Sequence, residues 1–174
     1  MRRGCIPIPS LDPPWPDSLR IAVVTSRGAP ADWRRLAHDA AAVAQPGGHS
    51  FPLGPQSPGH GGADDYKTAL LYRHASEICG YLCLASRLVT GHRSLSEGYR
   101  QATDAERVVR PCVMVVWVDA KLRRRGMAQE LVEAAAGHAD LTPSGLAWAE
   151  PFTDSGYLLA QSLVADGLWI ADYS

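Results

Sequence analysis

The stretch Val-Met-Val-Val-Trp-Val-Asp-Ala-Lys-Leu-Arg-Arg-Arg-Gly-Met-Ala, residues 113–128, decides the fold of this chain. It begins with an apolar run that predicts a buried strand over Cys112–Val118. A short polar turn follows, and the next residues open an amphipathic helix that we expect over Arg124–Ala136. A strand, a turn and a helix in direct succession are therefore the central unit of the predicted fold.

The turn and the first residues of this helix have the composition of an anion-binding loop. A helix N-terminus carries unpaired N–H groups and a partial positive charge. Three consecutive arginines add cations there, which the helix dipole disfavours unless an anion is bound. Small residues in the first turn let the backbone approach a ligand closely. The expected phosphate-binding residues are Arg123, Arg124, Arg125, Gly126, Met127 and Ala128.

Length and composition are those of a single globular domain. The chain has 174 residues, of which 46% are hydrophobic, and a formal net charge of −1; this balance argues against nucleic acid as a partner, since nucleic-acid binders are usually basic. No apolar run reaches the roughly 18–20 residues that span a bilayer. Prolines occupy the N-terminus where a signal peptide needs an apolar helix. We therefore expect a cytoplasmic protein without a membrane partner, and the wealth of alanine and arginine is typical of bacterial proteins.

Local patterns predict the remaining elements. Residues 1–18 are rich in proline and are expected to form an irregular arm, followed by one domain over residues 19–174. The segment Gln45–Gly62 is rich in Gly, Pro and Ser and predicts a long loop, and Ser94–Arg107 predicts a less regular polar insert. Further strands are predicted at Leu19–Thr25, Lys67–His74, Glu77–Leu88, Leu146–Ala149 and Leu168–Ala171, and further helices at Pro30–Val43 and Ser155–Ala165.

The four cysteines are interpreted as buried, reduced thiols. They are Cys5, Cys79, Cys83 and Cys112. No pair of histidines at ligand spacing accompanies them, so no metal site is predicted. Cys112 has no evident His or Asp partner in the sequence, which argues against a cysteine nucleophile.

The pattern Arg123-x-x-Gly126-x-Ala128 resembles the pyrophosphate-binding signature of the GCN5-related N-acetyltransferases, Gln/Arg-x-x-Gly-x-Gly/Ala. The resemblance implies an α/β (α+β) fold of that family: a mixed central β-sheet with helices on both faces. It also implies a V-shaped splay between the strands at 113–118 and 146–149, in which acetyl-CoA is the cosubstrate. The backbone of Trp117 and Val118 would contact its pantetheine arm, and the loop would hold its pyrophosphate.

Within that superfamily the chain most resembles the catalytic domain of the sister-chromatid cohesion acetyltransferases. The strand sequence Val115-Val-Trp-Val matches their Arg-Ile-Trp-Val, and Ala149-Glu-Pro-Phe-Thr-Asp-Ser-Gly loosely matches Ser-Asp-Pro-Thr-x-x-Gly. The chain departs from that family in lacking its N-terminal zinc finger. Met114 stands where a serine is expected, and Glu150 stands where the family has an aspartate before proline.

The resemblance implies transfer of an acetyl group to a primary amine by direct attack in a ternary complex. A carboxylate must then accept a proton from the amine, and Glu150, at the cleft end of a strand, is one candidate. Glu133 matches a catalytic glutamate of the cohesion family, but helix periodicity places it opposite the buried face, so a solvated surface residue is the alternative. Tyr157, near the start of the last helix, is a candidate for protonating the CoA thiolate.

The acceptor remains open between a protein lysine and a small-molecule amine. A second hypothesis is a catalytically inactive module that keeps the fold and binds CoA or a protein, which the methionine at position 114 favours. Because many proteins of this fold dimerise, a homodimer is compatible with the sequence.

Overall fold

The computed structural model describes residues 4–46, 51–53, 66–150 and 152–172. These residues form eight strands and three α-helices. The strands are β1 (Ile6–Pro7), β2 (Ile21–Thr25), β3 (Lys67–His74), β4 (Glu77–Ser94), β5 (Gly98–Gln101), β6 (Val109–Val118), β7 (Ala147–Glu150) and β8 (Leu168–Asp172). The helices are α1 (Ala31–Ala44), α2 (Met127–His138) and α3 (Asp154–Leu163).

The strands form one mixed sheet in the order β2-β3-β4-β6-β7-β8, with β1 and β5 also paired to β4. The pairs β6–β7 and β7–β8 are parallel, and the other pairs are antiparallel. One apolar cluster joins α2 and α3 to one face of the sheet, and a second joins α1 to the opposite face. The predicted fold class, a mixed sheet with helices on both faces, is confirmed.

Close packing against the sheet sets the position of α2. Leu131, in the middle of the helix, is fully buried. Gly80 lies beneath it on β4, and a Cβ atom there would come within 2.9 Å of Tyr72 Cβ and 3.1 Å of Leu131 Cδ1. The missing side chain at Gly80 lets the helix approach the sheet, and this approach holds the N-terminus of α2 near the ends of β3, β4 and β6.

Strand β4 is longer than the sequence predicts. The expected strand ended at Leu88, but β4 continues to Ser94, and part of the segment expected to be irregular forms β5. The additional residues of β4, 89–94, pair with both β5 and β8. The predicted end was wrong because these polar residues carry little strand signal of their own, and their partners supply the backbone hydrogen bonds.

The N-terminal arm is attached to the start of β4. Ile6 and Pro7 pair with Ile78 and Glu77, and a disulfide joins Cys5 to Cys79 with 4.6 Å between their Cα atoms. The expectation of four reduced thiols is therefore wrong for this pair, because the pairing of β1 with β4 brings together two cysteines that are 74 positions apart in the sequence.

The disulfide leads to a thiol count that can be measured. Protein purified without reductant should show two thiols per chain after denaturation, from Cys83 and Cys112, and four after reduction. In the native state both thiols should react slowly with a disulfide reagent because they are buried. Four thiols in denatured, unreduced protein would contradict the Cys5–Cys79 bond.

An ion pair stabilises the connection between β5 and β6. Arg100 donates from both terminal nitrogens to the two carboxylate oxygens of Glu106, at 2.7 and 2.8 Å. The Thr103 N–H donates to Glu106 Oε2 at 2.9 Å. These bonds, the one from Arg100 first, lower the pKa of Glu106 from 4.5 to about 2.

We expect Glu106→Gln to lower the free energy of unfolding in a pH-dependent way. The carboxylate has a lower pKa in the folded state, so its stabilising effect is complete above the unfolded value of 4.5 and is lost as pH falls towards 2. Urea unfolding at pH 7, 5 and 3 should show a difference between wild type and variant that is constant from pH 7 to 5 and smaller at pH 3. A difference that grew on acidification would contradict the ion pair.

The predicted long loop and the expected absence of a membrane-spanning helix can be compared only with the residues that the structure describes. Of the predicted loop Gln45–Gly62, residues 45–46 and 51–53 are described, and Phe51 among them is fully buried with its carbonyl 2.8 Å from His38 Nδ1; the other residues of that loop lie outside the described ranges. Within those ranges, no helix has the length and apolar composition needed to cross a bilayer.

Candidate functional site

The two central strands diverge after a short pairing. Strands β6 and β7 are paired only at Cys112 with Ala147 and at Val113 with Trp148. Beyond these pairs β6 continues to Val118, while β7 turns its pairing to β8 as far as Glu150. An opening therefore lies between the ends of β6 and β7, at the position where the family resemblance implied a V-shaped splay.

A β-bulge in β6 lies where this opening begins. Cys83 pairs with Val115 and Leu84 with Val113, so Met114 is the extra residue of β6. A bulge bends its strand and increases the local twist, which helps β6 to leave β7. The Met114 side chain packs against apolar clusters on the α1 side of the sheet, so this position offers a thioether in place of the hydroxyl that the cohesion family would supply.

The backbone of Val118 faces the opening. The Asp119 N–H donates to the Cys79 carbonyl at 2.9 Å, so the next pair, Gly80 with Val118, is a non-hydrogen-bonded pair of the antiparallel ladder. The polar groups of Val118 therefore point away from β4. Its carbonyl accepts a bond from Arg123 Nε at 3.1 Å, and its N–H is directed towards the opening.

A strained turn connects β6 to α2. The buried carboxylate of Asp119 accepts the Lys121 N–H at 3.0 Å and starts a short 3-10 turn. Arg124 and Gly126 then adopt left-handed backbone conformations with φ of 61° and 82°. The predicted helix start at Arg124 is therefore wrong, and α2 begins at Met127, because two left-handed residues cannot continue a right-handed helix.

The loop presents its backbone to open space. The Glu130 N–H makes the first helical bond, to the Gly126 carbonyl at 2.9 Å, so the N–H groups of residues 127–129 have no acceptor within the helix. A Cβ atom at Gly126 would meet no atom within 4 Å. Arg124 and Arg125 are exposed, whereas Met127 is buried in the core below the loop. The arrangement brings together N–H donors without an acceptor in the helix, the positive end of the helix dipole and exposed cationic side chains.

Glu150 occupies the end of β7, on the other side of the opening. Arg93 donates to its Oε1 atom from Nη2 at 2.7 Å and from Nε at 3.2 Å. The two side chains are 34% and 31% exposed, so the pair is open to solvent. Both bonds use Oε1, and among the described residues no hydrogen bond to the other carboxylate oxygen is found.

The ring of Tyr99 helps to hold the Arg93 side chain in position. Its guanidinium lies 5.5 Å from the centre of the Tyr99 ring, and that ring lies against Gly91, where any Cβ atom would overlap it. The hairpin of β4 and β5 thus holds the arginine that contacts Glu150. Sequence reasoning missed both residues. Arg93 lies beyond the predicted strand end at Leu88, Tyr99 lies in the segment expected to be irregular, and no local pattern links either of them to position 150.

Two other predicted residues occupy different environments. Glu133 is exposed on α2 and accepts a bond from Gln129 Nε2 at 2.8 Å. Tyr157 is half-buried on α3, with its ring edge-to-face against Phe152 at 5.7 Å between centroids. The structure therefore places Tyr157, but not Glu133, in the aromatic cluster that follows β7, and their roles stay predictions.

The remaining residues of the opening are Trp117 and Trp148. Trp117 is half-buried and packs on the α1 side of the sheet, so its side chain forms part of the wall of the opening on that side. Trp148 is 2% exposed beside Phe152, with 6.4 Å between the ring centroids. Its buried indole N–H has no hydrogen-bond partner among the described residues, so a donor without an acceptor lies next to the point where the strands part.

The two free cysteines lack the chemistry of a nucleophile. Burial raises the pKa of the Cys112 thiol to about 12, and it raises the pKa of the Cys83 thiol as well. Because the thiolate is the nucleophilic form, both side chains are unreactive at neutral pH.

The fold is similar to that of solved acetyltransferase domains. The xEco2 acetyltransferase domain bound to a CoA conjugate matches with a TM-score of 0.65 and 19% identity, over 88% of this chain and 92% of that one. A second structure of the xEco2 acetyltransferase domain matches with a TM-score of 0.60 and 16% identity, over 98% of both chains. No protein-family model matches the sequence, and no curated protein is significantly similar to it.

These similarities establish the class of fold. The chain has the fold of the xEco2 acetyltransferase domains, and this similarity bears out the predicted resemblance to the cohesion acetyltransferases.

Proposed function

We propose that the protein is an acetyl-CoA-dependent N-acetyltransferase that acts on a primary amine. One observation carries the proposal: the splay of β6 and β7 opens directly beside the loop at residues 123–128, where the N–H groups of residues 127–129 have no acceptor within α2. A splay alone would be a packing feature, and a cationic helix start alone would be a solvated surface. Together they form a slot for an extended chain next to a site for phosphate.

The residues present fit acetyl-CoA. The pyrophosphate would accept bonds from the amides that follow Gly126, close to the exposed Arg124 and Arg125. The pantetheine arm would lie in the opening against the backbone of Val118. The buried indole N–H of Trp148, which has no partner among the described residues, could donate a hydrogen bond to an acceptor on the ligand. The bound thioester supplies an activated acetyl group.

The chain itself would orient the reactants and move protons. The Val118 N–H would donate to the thioester carbonyl, where negative charge develops. The amine would attack that carbonyl carbon; a nitrogen–carbon bond forms and the carbon–sulfur bond breaks. Glu150 would accept the amine proton at Oε2 while Arg93 holds Oε1, and Tyr157 would donate a proton to the departing thiolate.

Glu150 supports this role better than Glu133. Glu150 ends a strand that borders the opening, whereas Glu133 lies on the exposed face of α2 and is bonded to Gln129. A general base must come within hydrogen-bond reach of the proton it removes, directly or through one water. The acceptor, a protein lysine or a small-molecule amine, is left to experiment.

Calorimetric titration followed by an acceptor screen tests the proposal. Acetyl-CoA should bind the wild-type protein, and a panel of lysine peptides and small amines should include one that releases the CoA thiol. Binding without release for any amine would instead support the inactive CoA-binding module. Absence of acetyl-CoA binding would overturn both forms of the proposal.

A further inference from the structure

A cleft of about 590 Å³ lies beside the loop, on the side away from the splay. Arg125 and Met127, at the start of α2, form one wall. Arg20, which precedes β2, and Arg73, near the end of β3, contribute to the opposite wall. The volume is within the range of small-molecule sites, about 300–1,000 Å³, and because its wall includes Arg125 and Met127 the cleft is continuous with the loop.

The charge of this cleft is positive. Three arginines line it: Arg20, Arg73 and Arg125. Two carboxylates oppose them: that of Asp17, fully exposed and 4.0 Å from Arg73 Nη1, and that of Glu130, which accepts from Arg20 at 3.3 Å. Exposed pairs of this kind contribute little to stability, so breaking them to bind an anion would cost little.

Arg73 and Arg20 differ in how firmly they are held. Arg73 donates to the Asp17 carbonyl at 2.6 Å and lies 5.5 Å from the centre of the Trp15 ring, so its charge is fixed in the wall. The Arg20 side chain is 66% exposed and reaches the Tyr72 hydroxyl at 3.4 Å. The cleft therefore combines one fixed charge with one that can turn towards a ligand.

Strand order places the loop between the cleft and the splay. Ile21 pairs with Tyr72, and Gly80 pairs with Val118, so the start of β2 and the ends of β3 and β6 lie along the same side of the sheet, where these strands start or end. The cleft lies on this side near β2 and β3, and the splay lies on it near β6 and β7. A ligand with its diphosphate on the loop can thus extend into the splay at one end and into the cleft at the other.

We propose that this cleft binds the 3′-phosphate at the adenosine end of CoA, with Arg20 as its mobile ligand and Arg73 as a fixed charge. The inference rests on the proposed function, which places pantetheine in the splay and the pyrophosphate on the loop. The part of CoA beyond the pyrophosphate is an adenosine with a phosphate on its ribose, an anion that a cationic cleft recognises.

Calorimetry with CoA and 3′-dephospho-CoA tests the inference without any acceptor. Wild-type protein should bind CoA about tenfold more tightly than 3′-dephospho-CoA, since one charge-assisted hydrogen-bonding site distinguishes them. Arg20→Ala should lower the affinity for CoA and leave that for 3′-dephospho-CoA nearly unchanged. Arg35→Ala is the matched control, because Arg35 is an exposed arginine on α1, across the sheet, and it should keep the full preference.

The outcomes separate this inference from the proposed function. Equal binding of both ligands by wild-type protein would overturn the cleft assignment and leave the acetyltransferase proposal standing. No binding of either ligand would overturn the proposed function and the inference with it. A preference for CoA that persisted in both Arg20→Ala and Arg73→Gln, each verified as folded by thermal melting, would place the 3′-phosphate elsewhere and overturn the assignment.

Discussion

Replacing Gly126 with valine is expected to weaken acetyl-CoA binding by at least about 100-fold, equivalent to roughly 2.7 kcal/mol. Gly126 has a φ of 82°, a conformation that costs an L-residue about 1–2 kcal/mol and that β-branched residues strongly avoid. The loop would move away from this conformation and displace the amides that follow it. The added side chain would also enter the open space in front of the helix, where the pyrophosphate is proposed to lie.

Two matched variants separate these causes. Gly126→Ala retains most of the strain but little of the bulk, so its loss of affinity should be smaller. Gly137, in the last turn of the same helix, has open space around its Cβ position and no left-handed φ, so Gly137→Ala should bind acetyl-CoA as the wild type does. Isothermal titration measures all three, and wild-type affinity in Gly126→Val would exclude residues 123–128 as the phosphate site.

Replacing Glu150 with glutamine is expected to reduce the rate of acetyl transfer by roughly 10²–10⁴-fold, the usual contribution of a general base. The amide retains an oxygen that can accept from Arg93, so the local structure should persist. It cannot take a proton from the amine. Acetyl-CoA affinity should be unchanged, because the loss is confined to the step after binding.

The measurement is the initial rate of CoA thiol release with the best amine from the acceptor screen. Glu133→Gln is the control, since Glu133 is an exposed helix residue bonded to Gln129, and its rate should stay close to that of the wild type. A large loss in Glu133→Gln with a near-normal rate in Glu150→Gln would reverse the assignment of the base. Thermal melting of each variant distinguishes a catalytic loss from unfolding.

Local patterns predicted the parts of the site that are continuous in sequence. The strand ending at Val118, the turn after it and the helix through Leu131 lie within one short stretch, so apolar periodicity and a single glycine were enough to predict them. The precise start of α2 was not predictable in this way. Three arginines are compatible with a helix, and the left-handed conformation of Arg124 depends on the whole turn.

Pairings between segments that are distant in the chain could not be predicted from local sequence patterns. Arg93 contacts Glu150 across 57 positions, and the disulfide joins Cys5 to Cys79 across 74. The last six residues of β4 form a strand because β5 and β8 supply their hydrogen bonds. Such contacts depend on the order of strands in the sheet, which local propensity does not encode.

An apolar strand that leads through an arginine-rich loop into a helix can be inferred from the sequence, because the pattern is local and periodic. Three other features are visible only in the folded chain: β6 and β7 part after two residue pairs, Arg93 contacts Glu150 beside the opening, and an arginine-lined cleft adjoins the loop. Each of them is a contact between elements that are distant in sequence, and it forms only when the helices pack on the two faces of the sheet.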